Sequence, residues 1–528
     1  MSLSDLLERG YFPKELPRPF VTETFSKAVA GAATLPADFN KRAKKGVKFP
    51  TGKPARYSLA RGGLFRRRLS ICNPLHYFQL GREITDHWAT FQKHVSGTPI
   101  AATEPEFKAQ GRAIDGKWPQ SARPMLAQKS RLGSRYVLRT DISRFYHSIY
   151  THSIPWAIHT KPVAKANHKF SLLGNKLDFW IRNGQDAQTI GIPIGPDTSL
   201  ALSELIMHRC DEALIAKMPQ VRGFRFIDDY ELSFETRTEA EDAFHILESC
   251  LAEYELALNP KKTEVAELPL PFEAPWVTYL KRLQFRKSKS GQAADLESYF
   301  NSAFFLHQEF PDEAVLQFAI AKLRFMDVHD DNWELFQRLL LNCVMPEPAT
   351  YPYVLEQIIS RVNKGLAPLR DELEETANAL ISTHATLRHS SEVANALWAA
   401  LILRLNLHSV AVNSLASTDD SVVALLALDC ENNGLTAAPI DKTYWTSLMT
   451  AESLYDEHWL LAYEANIKGW LPSAVAGKDH VNDDDNFSYL KAAGVFFYDQ
   501  ALATPPPDAE VPLPSLPTIA IVGGRASP

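Results

Sequence analysis

The spacing of apolar residues changes character along this chain. Between Gly10 and Phe20 three prolines, Pro13, Pro17 and Pro19, break any helical period, which predicts an N-terminal arm wrapping over other elements. The run Tyr136 to Thr140 is extended and partly apolar, and two short apolar runs between Phe224 and Phe234 flank an acidic pair. Both read as strands, the second as a hairpin. Thr198 to Leu214 and Glu239 to Leu256 carry apolar residues at three- and four-residue steps, the period of amphipathic helices packed on a sheet. Beyond about Ala293 the strand signals fade and helical spacing takes over, in Ala314 to Phe325, Tyr353 to Val362, Glu392 to Leu407, Ser421 to Cys430 and Glu457 to Ile467.

A chain of 528 residues exceeds what one hydrophobic core supports, so at least two domains are expected. The changes of pattern place the divisions. Residues 1–54 form an N-terminal arm and basic segment, and residues 55–290 a mixed unit of helices and strands. Residues 291–503 form an all-α domain whose helix pairs resemble an irregular HEAT-like stack, and residues 504–528 a proline-rich tail expected to be mobile. The fold class is α+β. No apolar run of about 18 residues and no secretory leader pattern occurs, so no membrane partner and a cytoplasmic location are expected. Cys72, Cys210, Cys250, Cys343 and Cys430 are scattered without a CxxC pair, which argues against disulfides and structural zinc. The net charge is −6, yet twelve lysines and arginines lie between Asp38 and Glu83 with no acid among them. Such a block attracts phosphate, although a charge run is also what a solvated surface looks like.

Three segments carry the chemistry. In Arg139-Thr140-Asp141-Ile142-Ser143-Arg144-Phe145-Tyr146 an acid ends a strand and aromatics follow. Gly191-Ile192-Pro193-Ile194-Gly195-Pro196-Asp197-Thr198-Ser199 is a glycine- and proline-marked loop running into a helix. Phe226-Ile227-Asp228-Asp229-Tyr230 puts adjacent acids at a hairpin tip, where mutual repulsion calls for a divalent cation and hard oxygen ligands suit magnesium. An Asp pair alone is commonly a polar turn. The order acid-strand, glycine loop with helix, then acid-pair hairpin is what points to phosphoryl transfer, in which one metal activates the attacking hydroxyl and a second holds the triphosphate.

These segments resemble motifs A, B and C of the reverse transcriptases, and Leu258-Asn259-Pro260-Lys261-Lys262-Thr263 is similar to their lysine-bearing motif D. The resemblance spans roughly residues 55 to 290 and implies right-hand polymerase fingers and palm. More narrowly, Gly10-Tyr11-Phe12-Pro13-Lys14-Glu15-Leu16-Pro17, Tyr150-Thr151-His152-Ser153-Ile154-Pro155-Trp156 and the helical C-terminal half resemble the bacterial abortive-infection, defence-associated branch. The resemblance implies that Asp141 and Asp228 hold two Mg2+ ions, with Mn2+ as an alternative, and that Asp229 assists. It also implies that Tyr146 is the gate beneath the sugar that favours dNTPs, and that Lys262 relieves the departing pyrophosphate. Arg66, Arg67 and Arg68 stand where fingers contact the triphosphate, and Gly191, Pro193 and Gly195 belong to the substrate-binding loop. Tyr146 also reads as a palm core aromatic, and Lys262 as a solvated loop lysine.

One departure matters: the glutamine that ordinarily precedes the first glycine of motif B, against the nascent pair, is here Ile190. The same departure fits the abortive-infection branch, which is associated with DNA synthesis primed on a protein tyrosine and not directed by a template. Tyr11 and Tyr57, in or near the arm and basic block, are the candidate priming residues, with Tyr489 and Tyr498 as C-terminal alternatives. The expectation is therefore a DNA polymerase of anti-phage defence, using dNTPs, making single-stranded DNA attached to itself, and forming a homo-oligomer. One alternative is a reverse transcriptase copying a partner non-coding RNA, and another is a catalytically inactive scaffold binding nucleic acid or a phage protein.

Overall fold

The computed structural model describes residues 2–62, 65–416 and 418–503. The expected proline-rich tail, 504–528, lies outside the described residues. Two short helices, Leu3–Arg9 and Glu23–Val29, flank the proline segment of the arm. They are part of the core: Leu6, Leu7, Tyr11, Phe12, Phe20 and Phe25 are buried, and Phe20 pairs with Tyr498 near the other end of the described chain. An antiparallel hairpin follows, β1 (Ala55–Ala60) and β2 (Arg66–Ile71), then the helix α1 (Pro74–Asp86), started by Asn73, whose side chain accepts from the Leu75 N–H. A small ribbon, β3 (Pro105–Phe107) and β4 (Ile114–Gly116), and the helix α2 (Arg123–Ser130) lead to the central sheet.

That sheet is antiparallel in the order β6-β7-β5-β8, built from β5 (Tyr136–Asp141), β6 (Arg222–Phe226), β7 (Asp229–Phe234) and β8 (Glu264–Glu267). Val137 and Leu138 on β5, and Phe224, Phe226 and Leu232 on the hairpin, are buried. The long helix α3 (Asp197–Lys217) and α4 (Arg237–Ala252) pack together, and α4 also packs on β5 and β7. A reciprocal capping box, Thr236 with Glu239, starts α4.

Among the described residues, those from 275 to 503 are helical with connecting loops. They begin with α5 (Pro275–Arg282), α6 (Lys289–Glu309) and α7 (Val315–Lys322), and run through α8 (Arg370–His384), α9 (Ser390–Leu403) and α10 (Ser421–Asn432) to α11 (Trp459–Ile467). Helix α8 packs antiparallel on α9, with Arg370 at its start donating to the Leu403 carbonyl, and α9 packs parallel on α10, with Ser390 bonded to Asp420 at their starts and Arg404 to Asn433 at their ends. This half returns to the β1–β2 hairpin, where the sequence places the fingers. Helix α9 lies on β1, and the hydroxyls of Ser390 and Ser391 accept the N–H groups of Ser58 and Ala60. Arg66 forks onto Glu392 of α9 at 2.6 and 2.7 Å, and Trp459 Nε1 donates to the Ile71 carbonyl. The edge of the hairpin is thereby covered by helix, which satisfies backbone donors that would otherwise be unpaired. No helix among the described residues is long and apolar enough to cross a membrane.

Candidate active site

The sheet register sets the site. Asp141, last in β5, lies opposite Asp229, first in β7, and Phe226 pairs with Asp229 across the β6–β7 turn, so Ile227 and Asp228 form the tip. The Asp228 carbonyl accepts the Ile142 N–H, which ties the tip to the chain leaving β5. The structure thus brings the three acids together. Burial, Asp141 and Asp229 push the Asp228 carboxyl up to about 7, and burial raises that of Asp141 against the lowering effect of Lys262. Lys262 Nζ stands 3.2 Å from Asp141 Oδ2, and Arg123 of α2 is 2.7 Å from Asp229 Oδ2 while stacking on the Phe226 ring. Asp141 Oδ1 is buried with no hydrogen-bond partner. An orphaned carboxylate oxygen beside two further acids, one of them pushed up by burial and then by its neighbours' charge, fits a divalent cation with hard oxygen ligands.

A buried polar cycle holds the tip. Ile227 has φ +56°, a conformation that a β-branched residue adopts only when its surroundings impose it. Its N–H donates to Thr103 Oγ1 at 2.8 Å, and the Thr103 hydroxyl donates to Glu204 Oε1 at 2.7 Å. Glu204 receives both terminal nitrogens of Arg225 at 2.9 Å, and Arg225 Nη1 donates back to the Ile227 carbonyl at 2.7 Å. Asp211 takes the remaining donors of Arg225 and the Tyr230 hydroxyl. The sequence reading missed this cycle, as it missed Arg123.

The three fingers arginines part company. Arg66 is committed to Glu392 and Ser58, so it anchors the hairpin to the helical half and does not reach for phosphate. Arg67 acts electrostatically on Asp228 and on Tyr146, whereas Arg68 is exposed and bears on His147. Arg61, unremarked in the sequence beyond its place in the basic block, also faces the site. Burial and Arg67 push its guanidinium down to about 10, and Asp228 and Asp141 oppose that fall. A Cβ on Gly62 would lie 3.2 Å from the Asp312 carbonyl oxygen, so the hairpin tip meets the start of the helical half across the site. Beside the acids is a cavity of 550 Å3 walled by Asp141, Asp229 and Lys262 on one side and by Trp276, Phe318 and Glu313 on the other.

Tyr146 is half-buried, its phenol bonded to Ser203 and held above its usual range first by burial and then by Asp228. In the glycine loop, Gly191 takes φ +84° and its N–H donates to the Ile149 carbonyl. Gly195 takes φ +121°, and a Cβ there would fall 2.5 Å from Pro13 Cγ, so this glycine admits the N-terminal arm. The Pro193 carbonyl accepts the Ser199 hydroxyl at the start of α3. Arg112 binds Asp197 and the carbonyls of Phe12, Gly10 and Gly195, which sews arm and loop together. Ile190 is 58% exposed beside this loop.

The two candidate priming tyrosines are corrected by their burial. Tyr11 is wholly buried, stacked on Tyr77 with its hydroxyl donating to the Cys72 carbonyl at 2.6 Å. Tyr57 is wholly buried under α9. Burial pushes both phenols well up, so neither offers a solvent-accessible nucleophile. Position near the basic block carried no information about burial, whereas the two-residue alternation of buried Ala55, Tyr57 and the packed Leu59 did.

An antiparallel sheet with three acids at the β5 end and hairpin tip, flanked by lysine and arginine, is an arrangement suited to nucleotidyl transfer. Residues 77–290 match the family described as "Reverse transcriptase (RNA-dependent DNA polymerase)". A reverse-transcriptase domain is therefore present, and the protein is an enzyme of the RNA-directed DNA polymerase type. No curated protein matches the chain. Among solved structures, an apo telomerase from Candida tropicalis is similar at 12% identity with a TM-score of 0.30, over 63% of this chain and 69% of that one, a likeness too distant to bear on fold or function.

Proposed function

We propose that this enzyme is a DNA polymerase of bacterial antiviral defence that extends DNA from a protein primer without a template. The observation that carries the polymerase reading is the convergence of Asp141, Asp228 and Asp229 around the orphaned Asp141 Oδ1. Asp141 and Asp228 hold two Mg2+ ions with Asp229 assisting; when bound, the ions supply an activated hydroxyl and charge neutralisation on the triphosphate. Arg67 and Arg61 take the phosphate side, Lys262 serves the leaving pyrophosphate, and Tyr146 closes on the sugar.

Three features support the untemplated half. The exposed Ile190 side chain offers no amide to a nascent pair. At Gly62 the β1–β2 hairpin meets the helical half, which leaves less room beside the acids for a template–primer duplex. The segments Gly10–Pro17 and Tyr150–Trp156 resemble the abortive-infection polymerases, on which the defence role rests. Tyr279, on the helix that walls the cavity, and Tyr444 are the exposed tyrosines among the described residues, so the primer is sought there before Tyr489, whose hydroxyl donates to the Ala28 carbonyl, or Tyr498, which is buried on Asp429. The reverse-transcriptase match favours a second reading, copying of a partner non-coding RNA.

Purified protein incubated with dNTPs and magnesium is expected to acquire DNA that survives boiling in detergent and is released by protease as a peptide conjugate. The peptide identifies the primer residue. Free DNA without peptide overturns protein priming, and a product that copies co-purified RNA and vanishes after RNase treatment overturns template independence. Selectivity for dNTPs is checked at Tyr146: Tyr146→Ala raises the NTP-to-dNTP ratio of kcat/KM by roughly tenfold or more, the worth of one steric contact in a packed pocket. A wild type that uses NTPs as readily as dNTPs removes Tyr146 from the role.

A further inference from the structure

On the far side of the fingers hairpin, the turn between α8 and α9 brings together two imidazoles and a carboxylate. His384 ends α8, His389 precedes α9, and Glu392 lies in the first turn of α9. His384 Nδ1 and His389 Nδ1 face each other at 2.9 Å, and Glu392 Oε1 lies 3.9 Å from the first and 3.6 Å from the second. The point in their plane equidistant from the three atoms is about 2 Å from each, the bond length of zinc to imidazole nitrogen and carboxylate oxygen, and small rotations of the side chains that even out the edges to about 3.3 Å would give one face of a tetrahedron.

The surroundings suit an ion. Glu392 is buried and oriented by Arg66 and by the Ser391 hydroxyl at 2.7 Å, in the way that outer partners fix a ligating carboxylate. Of the hydrogen bonds made to Glu392, its Oε1 accepts that from Arg66 Nη1, which leaves this oxygen a lone pair directed at the histidines. The positive charge of Arg66 offsets that of Glu392, so the two imidazoles supply most of the affinity. The His384 and His389 side chains are 12% and 27% exposed, enough for water to complete a fourth position. Without an ion, one of the facing nitrogens must carry a proton and donate to the other.

We propose that His384, His389 and Glu392 form a zinc site that clips the α8–α9 turn and, through the Glu392–Arg66 fork, braces the fingers hairpin whose next residue, Arg67, acts on Asp228. The ion is structural and soft enough to prefer nitrogen, which separates it from the hard-oxygen palm site.

Full-length protein is stripped with chelator, supplied with excess Mg2+ to occupy the palm carboxylates, and titrated with Co2+ and then Zn2+. One Co2+ per chain is expected, with the intense visible absorption of four-coordinate nitrogen-ligated cobalt, displaced by Zn2+. The His384→Ala/His389→Ala double variant is expected to weaken Zn2+ binding at least tenfold and to lose the zinc-induced rise in melting temperature. Equal stoichiometry and affinity in wild type and double variant overturn the site. Should the double variant fail to fold, X-ray absorption on the wild-type zinc form decides: two imidazoles in the first shell support the clip, and an all-oxygen shell or failure to retain zinc in excess Mg2+ overturns it.

Discussion

Asp228→Asn yields a folded protein whose nucleotide incorporation falls by at least about a thousandfold. The substitution keeps the side-chain volume and removes the charge at the hairpin tip, and the charge stabilisation lost with a metal is several kcal/mol, at ~1.4 kcal/mol for each factor of ten in rate. The same change stabilises the metal-free protein at alkaline pH. The folded Asp228 carboxyl titrates at about 7, above its ordinary value of 3.8, chiefly because it is buried and then because Asp141 and Asp229 repel its charge. An acid whose folded pKa is raised holds its proton more tightly in the native state. Between those two values the unfolded chain loses the proton first, so this group's contribution to stability falls as pH rises through the window and is lowest above about pH 7. In EDTA, Asp228→Asn therefore melts above the wild type at pH 8, the gap narrows as pH falls and closes only towards about pH 4, and Mg2+ raises the wild type more than the variant. Calorimetry with and without Mg2+ checks the pattern. Wild-type incorporation by folded Asp228→Asn removes this residue from the metal site.

The acids were legible because the chemistry dictates both residue type and local setting. Carboxylates must be carried by rigid strands, so Asp141 closes an extended run and Asp228-Asp229 interrupts a hairpin whose apolar flanks are visible in the sequence. The helix over Asp197–Lys217 was legible as a long apolar segment at helical spacing, but the one-faced amphipathic helix expected there is instead buried nearly all round from Asp197 to Asp211. The groups holding those acids were not read from local pattern. Thr103, Glu204 and Arg225 come from three distant segments and meet only in the folded chain. A signal was present nonetheless: Arg225 lies between Phe224 and Phe226, and an arginine in a short apolar strand calls for buried carboxylates. Glu204 and Asp211, seven residues apart and so on one side of α3, are such a pair, buried among apolar neighbours such as Leu205 and Leu214. The helical half shows a different limit. Its spacing revealed the helices, but nothing local says that α9 covers the β1 edge or that Glu392 captures Arg66, so an arginine that looked like a phosphate ligand is a tether between halves.

Breaking the cycle beneath the hairpin tip is expected to separate stability from turnover. Arg225, Glu204 and Asp211 have side chains 0%, 1% and 0% exposed, so Arg225→Met strands two carboxylates away from water without a cation. Removing one partner from such a buried group costs ~3–5 kcal/mol, a large share of the stability of a folded domain. Thr103→Val is gentler because it conserves shape. It removes the acceptor of the Ile227 N–H and one donor to Glu204, at about 1–3 kcal/mol for the buried groups left unpaired. With that anchor gone Ile227 no longer has reason to keep φ +56°, and the relaxation carries Asp228 with it, since the two are adjacent at the tip. A displacement of about 1 Å in a reacting group lowers the rate by up to roughly a hundredfold, so kcat falls between about ten- and a hundredfold while KM for dNTP changes little, because the triphosphate contacts proposed above, Arg67 and Arg61, lie on the β1–β2 hairpin. Half-saturation by Mg2+ moves to higher concentration in the same variant, a shift that mere loss of stability below the melting point does not produce. Thr103→Ser restores the hydroxyl and is expected to recover both kcat and the Mg2+ dependence. Thr103→Val protein with wild-type kcat and unchanged Mg2+ dependence would show that Asp228 is held without the cycle.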